Sequence, residues 1–278
     1  NYELFRIFAK IIDTMRRLFL FLTIVLPSFP AFAENRWVIN GNHSVQWETS
    51  KGTLPYTDHI EMSGLRASVV YYWGVNEKKQ FQMDRHLVFP MLRTIPNNTH
   101  ASWMPRCDVD FLREDGQQAL HDRVEVKTVT IDGVLNVRST IKGDGNEFEV
   151  TRQYYPSTQK AAVCEAYIIK NIGNKKETIR VPALYQVRTT NKEDGTRGSY
   201  KLVARTEFKE DFMQTLEPGE RAEFYCSIQA FAEADEMEIA LNVAGERDWR
   251  QIFVDRVAND KLQIARSEER RVGKECRS

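Results

Sequence analysis

His121-Asp-Arg-Val-Glu-Val-Lys-Thr-Val-Thr-Ile131, then Asp132-Gly133, then Val134-Leu-Asn-Val-Arg-Ser-Thr-Ile141 is the stretch that decides the fold. The first run alternates through Val124, Val126 and Val129-Thr-Ile131, as a half-buried strand must when successive side chains face opposite ways. Asp132-Gly133 supplies a turn that accepts positive φ, and Val134 to Ile141 runs back. A second turn at Gly143-Asp-Gly-Asn146 leads into Phe148 to Tyr155. The spacing predicts a β-meander.

Working outward, Arg36 to Asn40 and Ser44 to Thr49 flank Gly41-Asn-His43 as a hairpin. Arg66 to Val75 is rich in β-branched and aromatic residues, and Gln80 to Phe89 partly alternates. On the other side lie Ala161 to Lys170, Glu177 to Thr189, Ser199 to Glu207 and Ala222 to Ala230, separated by polar turns and by Leu216-Glu-Pro-Gly-Glu220. Pro182 demotes part of the second run to an edge or bulge, because proline cannot donate to the ladder. Short strands at this spacing predict an antiparallel sandwich.

The period changes after Ala234. Trp249, Ile252, Phe253, Arg256 and Val257 fall at i, i+3, i+4, i+7 and i+8, which puts the apolar members on one helix face. That face needs a cover. It is either a second, helical domain reached through this helix as a connector, or the sandwich itself.

Two stretches resist a strand reading. Pro90 to Arg106 carries three prolines and no period, a length of irregular chain that is usually functional or disordered. Its apolar Met91, Leu92, Ile95 and Trp103 call for burial, while Arg93, Asn97, Asn98 and His100 offer polar contacts. Tyr56 to Gly64 has the same mixed character, with Asp58, His59 and Glu61. Together they suggest a sugar-facing rim, because aromatic faces stack on pyranose rings and donors and carboxylates read hydroxyls. The same groups also suit a purely structural role, tying loops to the sheet. Asp58 and Glu61 as a glycosidase pair is the weaker reading, since such carboxylates must face each other across the scissile bond. No catalytic residue is assigned. The histidines at 43, 59, 86, 100 and 121 show no recurring ligand spacing, so no metal is expected, and no phosphate-cradling glycine loop or other cofactor motif occurs. Asn42-His-Ser44 and Asn97-Asn-Thr99 match the glycosylation pattern.

The ends read differently. Met15-Arg-Arg17, the apolar run Leu18 to Leu26 and Ala31-Phe-Ala33 have the order of a secretory signal peptide, which places the mature protein in the periplasm or outside the cell with no membrane anchor after cleavage. If Met15 is the start, residues 1–14 are translated upstream sequence. Arg266 to Ser278 reads as the in-frame translation of a sequencing adapter, the alternative being a genuine basic tail, and the natural chain is expected to continue past Ala265. Between Glu34 and Ala265 acidic residues slightly outnumber basic ones and form no basic stripe, which argues against a nucleic-acid partner. Cys107, Cys164 and Cys226 permit one bridge and a free thiol; Cys164 and Cys226, inside strand-like runs, read as buried small hydrophobes.

With Asp58-His-Ile-Glu-Met-Ser-Gly64, Met91-Leu-Arg-Thr-Ile-Pro-Asn-Asn-Thr-His-Ala-Ser102, the Leu216 to Glu220 turn and the Arg247 to Leu262 helix together, residues 34–265 resemble the N-terminal domain of secreted bacterial six-hairpin glycoside hydrolases of the α-L-rhamnosidase-like group. The resemblance implies a mainly β fold: an antiparallel, galactose-mutarotase-like super-β-sandwich over 34–232, then a linker helix within 233–265. It implies that an (α/α)6 barrel beyond the chain holds the acid and base, and that the whole enzyme hydrolyses a glycosidic bond of a polysaccharide or oligosaccharide, with inversion. The partners so implied are a carbohydrate substrate and the chain's own C-terminal catalytic domain. The rim role falls on Asp58, His59, Glu61, Arg93, Asn97, Asn98, His100 and Trp103. A free-standing carbohydrate-binding module is the competing expectation, and a mutarotase-like enzyme using His and Glu a third.

Overall fold

The computed structural model describes residues 36–41, 44–48, 55–78, 81–92, 112–113, 124–142, 146–233 and 250–262. Chain contacts divide it at Arg36, and the fold below belongs to the unit Trp37–Ser278. Among the described residues the strands are β1 Trp37–Ile39, β2 Val45–Trp47, β3 Tyr56–Ser63, β4 Ser68–Val75, β5 Phe81–Val88, β6 Leu112–Arg113, β7 Val124–Asp132, β8 Val134–Lys142, β9 Glu147–Pro156, β10 Ala162–Asn171, β11 Glu177–Val181, β12 Tyr185–Thr189, β13 Tyr200–Thr206, β14 Phe212–Leu216 and β15 Arg221–Ala232. Helix α1 spans 250–262.

One nine-stranded sheet runs β1-β2-β7-β8-β9-β10-β15-β13-β12, and two three-stranded sheets run β3-β4-β5 and β14-β11-β6. The paired strands among the described residues are all antiparallel, and the expected meander β7-β8-β9 pairs consecutively, with a bulge between Val126 and Thr128. The main core lies between sheets: Tyr71, Trp73, Met62 and Tyr56 from the small sheet meet Val137, Val150, Tyr167 and Phe224 from the large one. This is a mainly β antiparallel sandwich closed by a C-terminal helix.

Three expectations change. Tyr56–Ser63 is a strand rather than a loop, its inner face Tyr56, Asp58, Ile60, Met62 and its outer face Thr57, His59, Glu61, Ser63. The period of two was intact but one inward carboxylate interrupted the apolar series. The run Glu177 to Thr189 splits at Pro182 into β11 and β12, which join different sheets. Strand β14 was not foreseen; it pairs with β11 through Thr178 and Thr215, whose hydroxyls lie 2.8 Å apart.

The large sheet is covered on both faces. Ile252, Phe253 and Val257 of α1 pack on Val134, Tyr155, Ala162, Cys164, Ala166 and Tyr225, with Phe253 edge-on to Tyr155 at 5.4 Å. Arg256 Nε donates to the Gly133 carbonyl at 3.0 Å and Nη1 to the Ser63 carbonyl at 2.6 Å, so one side chain ties the helix to two turns. Of the two covers expected for the apolar face, the sandwich itself takes Ile252, Phe253 and Val257. Trp249 lies outside the described residues, as do Cys107, the proposed signal segment and the tail from Arg266. Cys164 and Cys226 are buried and free. They occupy opposite faces of the large sheet, since Cys164 pairs with Ser227 and Glu165 with Cys226. They cannot bridge to each other. Among the described residues no helix is long and apolar enough to cross a membrane.

Gly133 shows why the helix fits. Its φ of 70° is a conformation that side chains avoid, and a Cβ there would meet Asp260 Cβ at 3.0 Å and Val257 Cα at 3.3 Å. Gly219, with φ 89°, has open space around the same position. Gly219→Ala therefore measures backbone strain alone, about 1–3 kcal/mol, and Gly133→Ala is expected to cost more in urea unfolding. Equal losses would mean that α1 does not press on the turn.

Candidate functional site

The β3-β4-β5 sheet turns one face to the core and the other to solvent, and strand alternation sorts the predicted residues between them. Asp58 faces inward, where its carboxylate accepts the Trp37 indole N–H at 2.6 Å. Trp37 itself stands edge-on to Trp73 at 5.9 Å, and Trp73 to Trp47 at 5.8 Å, so Asp58 anchors an aromatic cluster. His59 and Glu61 face outward and are exposed. Asp58 and Glu61 therefore look to opposite sides of one sheet and cannot flank a single bond.

Register assembles the rest of the outer face. Tyr72 lies between His59 and Asp84, and Val70 between Glu61 and His86. The Tyr72 and His86 rings stack with centroids 5.1 Å apart and planes at 25°. Glu61 is held in place by the Ser68 hydroxyl at 2.8 Å and the Ser63 hydroxyl at 3.2 Å. Asp84 accepts the Arg85 backbone N–H at 2.8 Å. The result is a stacked aromatic pair with carboxylates and an imidazole at its margins on a rigid, solvent-facing sheet. Such a surface offers an apolar face for a ring and acceptors for its hydroxyls.

Tyr72, Asp84 and His86 were missed by the sequence reading. Their signal was present in β5, where Gln82, Asp84 and His86 share one parity, but the partner strand had to be known. Arg93, Asn97, Asn98, His100 and Trp103 lie outside the described residues. Of that loop Met91 and Leu92 are seen, tied to the β12–β13 connection by Thr196 N–H to the Met91 carbonyl at 3.0 Å and by a Leu92–Gly195 bridge.

A second polar group sits inside the sandwich. Arg85, 5% exposed, and Glu165, 2% exposed, bring Nη2 and Oε1 to 2.8 Å across the two sheets. The approach is off the N–H axis, a charge contact rather than an aligned hydrogen bond. Glu165 also accepts the Tyr167 hydroxyl at 2.9 Å and the Cys226 thiol at 3.7 Å. Burial pushes the nearby Tyr71 hydroxyl well above the ordinary phenol range, and Glu165 adds to the shift. Fully enclosed, the group holds the sheets together and cannot meet a ligand. On the helix side, burial and then a bond to Glu223 push Tyr225 up to about 12. Among the described residues no group of three or more His, Cys, Asp or Glu is placed to hold a metal ion.

No protein-family model matches the chain, and no curated protein matches it. Among solved structures it is similar to a protein described as a kojibiose phosphorylase from the human microbiome, with 9% identity and a TM-score of 0.41. The match covers 78% of this chain and 31% of that one, so the chain spans about a third of that protein's length.

Proposed function

We propose that this chain is a non-catalytic, carbohydrate-binding β-sandwich domain of an exported glycosidase acting on polysaccharide or oligosaccharide, and that it shapes the substrate entrance of a separate (α/α)6 catalytic barrel. The observation that carries the sugar reading is the outer face of β3-β4-β5, where the stacked Tyr72 and His86 rings lie beside Glu61 and Asp84. Export rests on the arginine pair, apolar run and small-residue site before Glu34. The parent activity and the barrel rest on the family resemblance of residues 34–265.

The test is affinity electrophoresis of the full chain in gels containing arabinoxylan, galactan or dextran. One of these is expected to retard the protein. Tyr72→Ala should weaken that retardation about tenfold, the upper range for an aromatic contact. Tyr185→Ala, an exposed tyrosine on the distant edge strand β12, should leave it unchanged. Equal retardation of wild type and Tyr72→Ala would remove the sheet face from the reading.

A further inference from the structure

We propose that strand β12, the open edge of the large sheet, pairs with β12 of a second copy of this chain. Among the described residues the sheet ends at β12, which has β13 on one side only. Its side chains are largely exposed, Tyr185 at 61% and Val187 at 45%, whereas Leu202, Val203 and Ala204 of β13 are buried. Proteins commonly shield an edge with lysine, proline or a bulge. The strand Tyr185-Gln-Val-Arg-Thr189 contains none of these, and its register with β13 is unbroken.

The backbone bonds define what this edge offers. Thr206 N–H donates to the Leu184 carbonyl at 3.0 Å, and Thr190 N–H to the Tyr200 carbonyl at 2.9 Å. Backbone groups alternate in direction along an antiparallel pair, so Leu184, Gln186, Arg188 and Thr190 address β13, while Tyr185, Val187 and Thr189 point away from it. Among the described residues no other strand takes up these outward groups.

The strand is complementary to itself. A two-fold axis at Val187 sets that residue opposite its own copy and Tyr185 opposite Thr189 of the second copy, all at hydrogen-bonded positions, so about six backbone bonds can form. The side chains agree with this register. Val187 lies across Val203 and Gln229 from Ala162, which α1 covers, so Tyr185 and Val187 share the helix side of the sheet. There each tyrosine ring reaches Val187 of the second copy diagonally, and the exposed apolar groups close into one patch. On the other side Gln186 stands opposite Arg188, an amide carbonyl before a guanidinium, and no like charges are directly opposed. Five residues a side make a small interface, so the pairing is transient.

Sedimentation velocity of the full chain from about 10 μM to about 1 mM, a range that brackets weak association, tests this together with backbone amide exchange at both ends of the range. The mass should rise toward that of a dimer. Exchange at Tyr185, Val187 and Thr189 should slow at least about fivefold at the high concentration by mass action, while Gln186 and Arg188, already turned to β13, keep one rate. Val187→Lys, a change at an exposed position, should abolish both effects with an unchanged thermal midpoint. The contrast between odd and even residues is read in the wild type, so it stands even if the variant folds poorly. A monomeric mass throughout, association that leaves the three amides unchanged, or amides already protected in the monomer each overturns the pairing. The last outcome would assign the edge to another stretch of the same chain. Tyr72 belongs to a different sheet, so sugar binding and strand pairing can fail separately.

Discussion

Arg85→Ala is expected to destabilise the fold by about 3–5 kcal/mol, the usual cost of removing one partner of a buried ion pair. The guanidinium lies 2.8 Å from the Glu165 carboxylate, and both residues are nearly sealed from water. The Tyr167 hydroxyl and the Cys226 thiol, which also meet this carboxylate, carry no charge to replace it. Glu165 would then take up a proton or draw water into the core, and either response loosens the contact between the small and large sheets. The pair itself is a different matter. Arg85→Met with Glu165→Met replaces both charges by apolar groups and should recover most of the loss. Urea unfolding of the three variants decides it. A loss under about 1 kcal/mol in Arg85→Ala would place the pair in a wetter setting than the sandwich core.

Ile252→Asp should detach helix α1 and open the outer face of the large sheet. Ile252 is 4% exposed and sits over Tyr155, Ala162 and Cys164, so a carboxylate there has no partner. Even truncation of a buried isoleucine costs about 2–5 kcal/mol, and a charge adds to it. The readout is built into the sheet. Cys164, fully buried beneath α1, should react with a thiol reagent at least about thirtyfold faster, the factor that corresponds to roughly 2 kcal/mol. Cys226 points into the sandwich core and should stay protected. Replacing Cys107 and Cys276 by serine leaves these two thiols as the only reporters. Equal exposure of both cysteines would mean that the helix is part of one cooperative unit with the sandwich. Exposure of neither would mean that the helix does not cover this face.

The sequence was most legible where the physics is local. Alternation through Val124 to Ile131 and the Asp132-Gly133 turn identified the meander because each depends on neighbours in the chain. The apolar face at Ile252, Phe253 and Val257 was equally plain, but its cover was not. Nothing in a helical period says whether the surface it meets is a second domain or Tyr155 and Ala162 of a sheet nearly a hundred residues earlier. Asp58 and Arg85 were obscure for a related reason. Both are charged residues turned inward, each matched by a partner far along the chain, Trp37 for one and Glu165 for the other. The candidate face was half visible. His59 and Glu61 were named from their types, whereas Tyr72, Asp84 and His86 joined them through strand register, which single residues do not encode.

The central claim is that a sugar lies on the outer face of β3-β4-β5. Amide chemical shifts of the full chain, recorded with oligosaccharides cut from whichever neutral polysaccharide retards it, test this most directly. The largest saturable shifts are expected on His59, Glu61, Tyr72, Asp84 and His86, with the Tyr72 and His86 ring protons moving together. Binding whose shifts map to the α1 face or the β12 edge, leaving Tyr72 and His86 unmoved, would contradict it.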